Sequence, residues 1–355
     1  MRNSESEMLF TQNLSTLSED IGIYQHSIYG IADLKKGYTT DDNSRALILA
    51  VMLYERFQHQ KYLKLICKYL SFIMVAQNDN GRFKNLMSVQ RTFQEEEGSE
   101  DCLGRCIWSL GYTIASTMIP ENIKRSCWHM VNTILEQWTD IKSPRAKAYS
   151  IVGFSYISVN PKAFTLIEEL SSSLVEQYSN YKDGNWHWFE DSLTYGNALL
   201  PLSLFRAYHI LDKGILFATG KESMAFLESI TMQEDYYKPI GCNGWLIKGS
   251  EPAEYDEQPI EACEMLLCYL ECYRLMKEKK YLDYAEKCFR WYQGCNSKGI
   301  ALIDNDTGAC YDGLNENGLN LNQGSESLIS YGIAYMEISN HIKNINDYES
   351  KSEIK

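Results

Sequence analysis

Apolar residues return at three- and four-residue spacing through about twelve segments of this chain, and they rarely alternate with polar ones. That period belongs to helices with a buried stripe, not to half-buried strands. It predicts helices over residues 4–17, 43–57, 60–77, 102–117, 121–138, 144–158, 161–178, 192–211, 220–231, 258–275, 279–293 and 324–341. Short β-hairpins are expected only within the longer loops.

The connections alternate in length. Long loops precede the helices near 43, 102, 192, 258 and 324, and a shorter one precedes 144. Tight links such as Ile119–Pro120–Glu121 and Asn160–Pro161 join the other pairs. Helices entered from long loops start roughly 45 to 65 residues apart, as a repeated helical hairpin would. Six hairpins close into a double ring. The expected fold is therefore all-α, an (α/α)6 barrel forming one domain over residues 1–345, with a polar tail at 346–355. Alternate helices would line the interior, and the long loops would gather at the N-termini of those inner helices. Helix N-termini carry partial positive charge and unpaired N–H groups.

Composition narrows the partners. The net charge is -13 and no Lys/Arg stripe is visible, which argues against nucleic acid and against anionic membranes. No apolar run is long enough to span a bilayer, and the opening MRNSESEMLF lacks the basic and apolar regions of a secretory signal. A cytoplasmic protein is expected, or a periplasmic one where a signal peptide has been removed. The 11 Cys lack Cys-x-x-Cys spacing and sit mostly in apolar helical stretches, for example Cys67, Cys263, Cys268 and Cys272. They read as small buried hydrophobes in a reducing compartment.

The loop-to-helix junctions carry the chemistry. Five of the six hold carboxylates: Asp41/Asp42, Glu100/Asp101, Glu190/Asp191, Glu257/Glu261 and Glu326. Tyr38, Trp186, Trp188, Tyr195, Trp245 and Tyr255 lie beside most of them, as do the amides Asn43, Asn197, Gln258, Asn322 and Gln323. Carboxylates, amides and Arg side chains pair with sugar hydroxyls, and aromatic faces suit the C–H face of a pyranose. Convergent polar groups in a concave setting mark a ligand site.

Adjacent carboxyls such as Asp41 and Asp42 raise one another's proton affinity, which suits one as acid and leaves the other ionised. Arg45, one turn on, would hold one member charged. A structural alternative has Asp42 capping the helix and Asp41 paired with Arg45. Glu100/Asp101 with Arg105, and Glu190/Asp191 beside Trp186, Trp188 and Phe189, offer similar pairs. His26 and His187 are the only histidines near these junctions. Arg45 or Arg105 at a helix N-terminus would also suit a phosphate. No clustered zinc ligands, nucleotide fingerprint or complete calcium loop appears, the segment Asp304 to Gly313 lacking the required Gly and Glu. No metal or cofactor is expected.

The set GYTTDDNSRAL, GSEDCLGRCIWSLG, WHWFEDSLTYGNALLP, PIGCNGW, EQPIEAC and NQGSES resembles a bacterial family related to the six-hairpin glycosidases, over about Ile23 to Ser330. That family is known mainly by association with glycosyltransferases and mannoside-processing enzymes. The resemblance implies an (α/α)6 barrel. The pair Asp41-Asp42 also looks like the adjacent aspartates of endo-α-1,6-mannanases, which implies one nucleophile and one general acid/base. The chain departs from the family at Gly196, in LTYGN where the family carries Asp, and at Cys242, where it carries Asn.

Together these readings favour a glycoside hydrolase acting on a short oligosaccharide, mannose-containing by resemblance. A sugar epimerase or isomerase, and a non-catalytic glycan-binding barrel assisting a glycosyltransferase, are the alternatives.

Overall fold

The computed structural model describes residues 2–352, with side chains from 7 to 341. Twelve helices appear among the described residues: α1 (Arg2–Thr16), α2 (Thr40–Phe57), α3 (Gln60–Ala76), α4 (Glu100–Ala115), α5 (Glu121–Glu136), α6 (Pro144–Ser155), α7 (Pro161–Tyr181), α8 (Leu199–Leu211), α9 (Gly214–Thr231), α10 (Pro259–Met276), α11 (Lys280–Tyr292) and α12 (Ser325–Ser352). Residues 346–352 of the expected tail are thus helical, and residues 353–355 lie outside the described residues.

Even- and odd-numbered helices are buried differently. In α5 the buried positions are Ile123, Cys127, Met130, Val131, Ile134 and Leu135, a single stripe with the rest facing water. In α2 every residue from Asp42 to Leu53 is buried, and in α6 every residue from Pro144 to Phe154. A helix buried all round must be surrounded. The even-numbered helices pack side by side in the order α2, α4, α6, α8, α10, α12 and back to α2, and the odd-numbered ones lie outside them. The fold is an (α/α)6 barrel.

Inner helices approach closely where small residues meet. A Cβ on Gly111 of α4 would lie 2.2 Å from the Gly153 carbonyl oxygen of α6, and one on Gly153 would lie 2.5 Å from the Ile107 backbone.

Four antiparallel ribbons decorate the loop end: β1 (Ser27–Ile28) with β2 (Ile31–Ala32), β3 (Tyr38–Thr39) with β4 (Leu86–Met87), β5 (Ser192–Leu193) with β6 (Leu246–Ile247), and β7 (Gly313–Asn315) with β8 (Gly318–Asn320). Two of these ribbons join loops of neighbouring hairpins, so the rim is tied together around the ring. Sequence periodicity placed the start of α8 too early, at 192. Residues 192–193 pair with 246–247 instead, and Gly196 adopts φ +60, so the helix begins at Leu199. Conversely, α2 starts at Thr40 and α9 at Gly214, ahead of the expected 43 and 220. Eight of the 11 cysteines are buried and all are unpaired; Cys67, expected in the core, is exposed.

Gly111→Ala is expected to lower unfolding free energy by about 1–3 kcal/mol, because backbone rather than a movable side chain blocks the methyl group. Gly214→Ala, which meets nothing within 4 Å, serves as the control. Equal denaturant midpoints for the two variants would show that α4 and α6 do not pack this closely.

Candidate functional site

The inner helices all present their N-termini to one mouth of the barrel. A cavity of about 300 Å³ opens there. Its walls come from the first two turns of α2, from Arg105 in the second turn of α4, from the first turn of α12, from the residue before α10, and from the loops between hairpins.

Thr39 caps α2: its hydroxyl accepts from the Asp42 N–H at 2.9 Å and donates to Asp42 Oδ2 at 2.6 Å. With capping done by Thr39, both aspartates of the first turn point into the mouth. The structural alternative considered from sequence does not hold: Asp42 is not the cap, and Arg45 pairs with Asp42 rather than with Asp41. Asp42 Oδ1 accepts from Arg45 Nη1 at 3.0 Å, and Arg45 Nη2 reaches Glu326 Oε2 at 2.6 Å. Asp41 Oδ2 accepts from Arg105 Nη1 at 3.1 Å and from Asn85 Nδ2 at 3.3 Å. Asp41 Oδ1 is buried and makes no hydrogen bond within the chain.

These neighbours separate the two carboxyls. Burial pushes Asp41 up, but Arg105 and Arg45 together hold it below the usual aspartate range. Burial pushes Asp42 up to about 6 against the pull of Arg45, with Glu326 and Asp41 adding to the rise. One carboxyl is kept ionised and its neighbour holds a proton more tightly, a division of roles suited to acid–base work.

His26 also lines this cavity. The Asn322 amide donates to its Nδ1 at 2.6 Å and to Asp312 Oδ2. Nδ1 as acceptor leaves the imidazole proton on Nε2. Asp312 in turn accepts from the Gly324 N–H and the Ser327 hydroxyl, both at 2.7 Å, and so fixes the start of α12. Gln258, Asp256, Cys242 and Asn85 complete the walls.

Other sequence candidates are held elsewhere. Glu100 accepts from the backbone N–H groups of Lys142 and Ser143 at 2.8 and 2.6 Å. Asp101 accepts from Ser143 Oγ and from the Tyr195 hydroxyl, both at 2.7 Å. Glu190 pairs with Arg145 at 2.5 Å, while Asp191 faces solvent. Trp186 and Trp188 are buried against Phe226 of α9, with ring centroids 5.2 and 6.3 Å away, and offer no face to a sugar. Tyr38 is buried and stacks on Tyr24 at 4.7 Å. Asn43 ties the Ile23 N–H and the Thr39 carbonyl together. Gln323 accepts from the Gly30 N–H at 2.6 Å. Asn197 and the Gly196 N–H both donate to Glu261. Trp245 faces Tyr195 at 6.4 Å outside the cavity. His187 lies 3.1 Å from Glu222 and away from the mouth.

Sequence reading missed Asn85, Asp256 and Asp312 as wall residues. None of them starts a helix. Asp312 sat in a segment inspected only for calcium.

Beside the cavity, across Asp256, lies an open groove of about 460 Å³ lined by Asn243, Tyr255, Asn315 and Asn317 together with Glu254 and Glu316. At the opposite end of the barrel a second cavity of about 260 Å³ holds Arg206, Arg274 and Lys277 near the helix C-termini, where cations are favoured. There Glu271 is buried and engaged by Arg206, His209 and Arg274. Among the described residues no His/Cys/Asp/Glu group could hold a metal ion, and no helix is long and apolar enough to cross a membrane.

No protein-family model matches the sequence, and no curated sequence is similar to it. Solved structures do share the fold. A sugar epimerase from a ruminal bacterium superposes with a TM-score of 0.74 at 13% identity, covering 96% of this chain and 99% of that one. A cellobiose 2-epimerase from Spirochaeta thermophila gives 0.72 at 12% identity over 96% and 97%. A GH76 α-mannanase from Bacteroides thetaiotaomicron gives 0.64 at 11% identity over 96% and 97%. The chain shares its (α/α)6 barrel fold with these epimerases and with this mannanase.

The raised Asp42 carboxyl has a thermodynamic consequence. Folded Asp42 titrates near 6 and unfolded Asp42 near 3.8. The native state binds more protons between those values, so this residue's contribution to stability falls as pH rises through that window. Relative to Asp42→Asn, the wild type is expected to lose about 1–3 kcal/mol between roughly pH 4 and 7 in urea titrations. A difference that does not change with pH would remove the raised carboxyl.

Proposed function

We propose that this protein hydrolyses a glycosidic bond in a short, uncharged oligosaccharide, with Asp41 and Asp42 as its working carboxyls. The observation that carries this reading is the contrast between two adjacent acids in one cavity, Asp41 held ionised by Arg105 and Asp42 raised to about 6 by burial. Asp42 donates its proton to the departing glycosidic oxygen as the bond to C1 breaks, and a water adds to C1 and gives up the proton that restores Asp42. Asp41, with its unpartnered Oδ1, supplies negative charge to the sugar as its ring acquires oxocarbenium character. Carboxyls outnumber guanidinium groups in the cavity walls, and Arg45 and Arg105 are already paired, which disfavours phosphate and other anionic substrates. Mannosides and β-linked glucose disaccharides are the substrates suggested by the structural neighbours.

The test is product analysis on a panel of manno- and gluco-oligosaccharides. Asp41→Asn and Asp42→Asn should each lower turnover by about a hundredfold or more, the scale of acid–base catalysis. Glu100→Gln and Glu190→Gln, which alter ties between loops, should act far less. Wild-type kcat should fall as pH rises through about 6, where Asp42 loses its proton. Cleavage that survives both aspartate substitutions sinks the assignment, and binding without turnover in the wild type favours a glycan-binding barrel.

A second reading, sugar epimerisation or isomerisation, draws on His26 in the cavity wall. Its Nδ1 accepts from Asn322, which suits Nε2 to donate a proton rather than to take one. Incorporation of solvent deuterium at C2 of a reducing sugar, abolished by His26→Gln, would favour this reading over hydrolysis.

The groove beyond Asp256 extends the proposal to ligand length. One sugar fills the cavity and the next lies over Tyr255 among Asn243, Asn315 and Asn317. Calorimetry should show mannobiose binding about tenfold or more tighter than methyl mannoside, roughly the effect of 1.4 kcal/mol. Asn315→Ala combined with Asn243→Ala should erase that difference and leave methyl mannoside unchanged. Equal affinities for both sugars in the wild type would confine recognition to the cavity.

A further inference from the structure

Asp256 stands at the junction of the two spaces at the loop end. It is the residue that lines both the cavity of about 300 Å³ and the open groove of about 460 Å³. Five carboxyl groups line the cavity: those of Asp41, Asp42, Asp256, Asp312 and Glu326. Four are engaged. Arg105 holds Asp41, Arg45 holds Asp42 and Glu326, and the Gly324 N–H holds Asp312. The Asp256 side chain alone has neither a hydrogen bond nor an ion pair among the described residues. It is half-buried, and its oxygens open to solvent. A loop-tying role like that of Glu100 is therefore closed to it.

The backbone that carries this carboxyl is held on both sides. The Cys242 N–H donates to the Asp256 carbonyl and the Asn243 N–H to the Tyr255 carbonyl, both at 3.0 Å. Immediately afterwards Glu257 and Leu314 exchange N–H···O bonds of 2.8 and 3.0 Å. Glycine is required at 241, where a Cβ would lie 2.1 Å from the Tyr255 carbonyl oxygen. A fixed frame thus presents a side chain that nothing in the chain engages. A ligand meeting it does not bear the cost of ordering a mobile loop.

An ionised carboxyl accepts hydrogen bonds and donates none, and its two oxygens can serve different donors. Hydrogen bonds to a charged group are roughly twice as strong as neutral ones. The uncharged groups that can supply a donor on each side of a junction are the hydroxyls of adjacent sugar units. We infer, on the reading of the ligand as an uncharged oligosaccharide, that Asp256 accepts a hydroxyl from each of two neighbouring units, one in the cavity and the next in the groove, and so makes the site specific for a disaccharide stretch. The groove unit must present a free hydroxyl to Asp256. Charge repulsion refuses a uronic acid carboxylate at the same place.

The test is calorimetry on the full chain with methyl mannoside and mannobiose, and with methyl glucoside and cellobiose as a parallel pair. Losing one hydrogen bond to a charged group weakens binding by about tenfold or more. Asp256→Ala should therefore weaken the methyl glycoside about tenfold and the disaccharide about a hundredfold. Asp256→Asn, which keeps the shape and one acceptor oxygen, should weaken both less. Thermal midpoints should match the wild type, since no contact of this side chain within the chain is lost. If Asp256→Ala lowers the midpoint, Asp256→Asn carries the same comparison. Equal losses for the methyl glycoside and the disaccharide would place Asp256 against the cavity unit alone. A loss confined to the disaccharide would place it against the groove unit alone, and unchanged affinities would leave it without a ligand. Each of these overturns the bridging role. A wild type that binds none of the four sugars overturns it together with the oligosaccharide reading. Cleavage that persists in Asp41→Asn and Asp42→Asn overturns the hydrolase assignment and leaves the role of Asp256 standing.

Discussion

The inner helices leave no face for water, and that constraint decides where charge can sit. Along α2 every residue from Asp42 to Leu53 is buried, and a charge in the middle of such a helix would be desolvated with little to pair it. Ionised groups therefore collect in first and last turns. Carboxylates occupy the N-terminal ends, as Asp41, Asp42, Asp101, Glu261 and Glu326 do, where the helix field favours anions. Arg206, Arg274 and Lys277 gather at the other end. The two mouths of the barrel thus acquire different chemistry from one packing rule.

At the N-terminal mouth the pairs cross between helices. Arg45 of α2 joins Asp42 to Glu326 of α12, across the seam where the ring closes, and Arg105 of α4 reaches back to Asp41 of α2. Buried ion pairs gain little net stability once their desolvation is counted, so their presence is better explained by what they hold in place. Here the outcome is asymmetric. Arg45 divides its charge between Asp42 and Glu326, whereas Arg105 has Asp41 as its only ion-pair partner among the described residues. The same two-residue sequence therefore yields one carboxyl that stays ionised and one that resists ionisation.

The helical periodicity carried the architecture well, because burial in a double ring writes a 3.6-residue pattern over each outer helix and fills each inner one. It failed at residues 192–198, where apolar Leu193 and aromatic Tyr195 fit a helical pattern while Gly196 and the pairing with β6 impose a ribbon. The mouth was half legible. Three acid pairs look alike in sequence, yet Glu100 is consumed by the Lys142 and Ser143 N–H groups, Asp101 by Ser143 and Tyr195, and Glu190 by Arg145. Those partners lie some 40 to 95 residues away or come from backbone, and no local motif announces them. Trp186 and Trp188 misled for a related reason. Their neighbours in sequence are acidic, but Phe226 from a different hairpin covers them.

Depth along the barrel axis sets what the mouth can do with a ligand. Below Arg45 and Arg105 the space narrows to about 20 Å³ among mostly apolar side chains, and Ile48, Trp108, Leu267 and Ile333 border both this space and the cavity at the opposite end. On the proposed reading, a sugar entering from the loop end would stop at the guanidinium layer. Asp41 and Asp42 lie at that level, so the reacting bond would belong to the sugar unit that enters first, near the floor. Any further units must leave outward, and the open groove past Asp256 is the continuation the walls provide. That geometry suits attack near one end of a short chain. A long polymer threaded through the barrel would have to pass Ile48 and Leu267, where the free volume is only about 20 Å³.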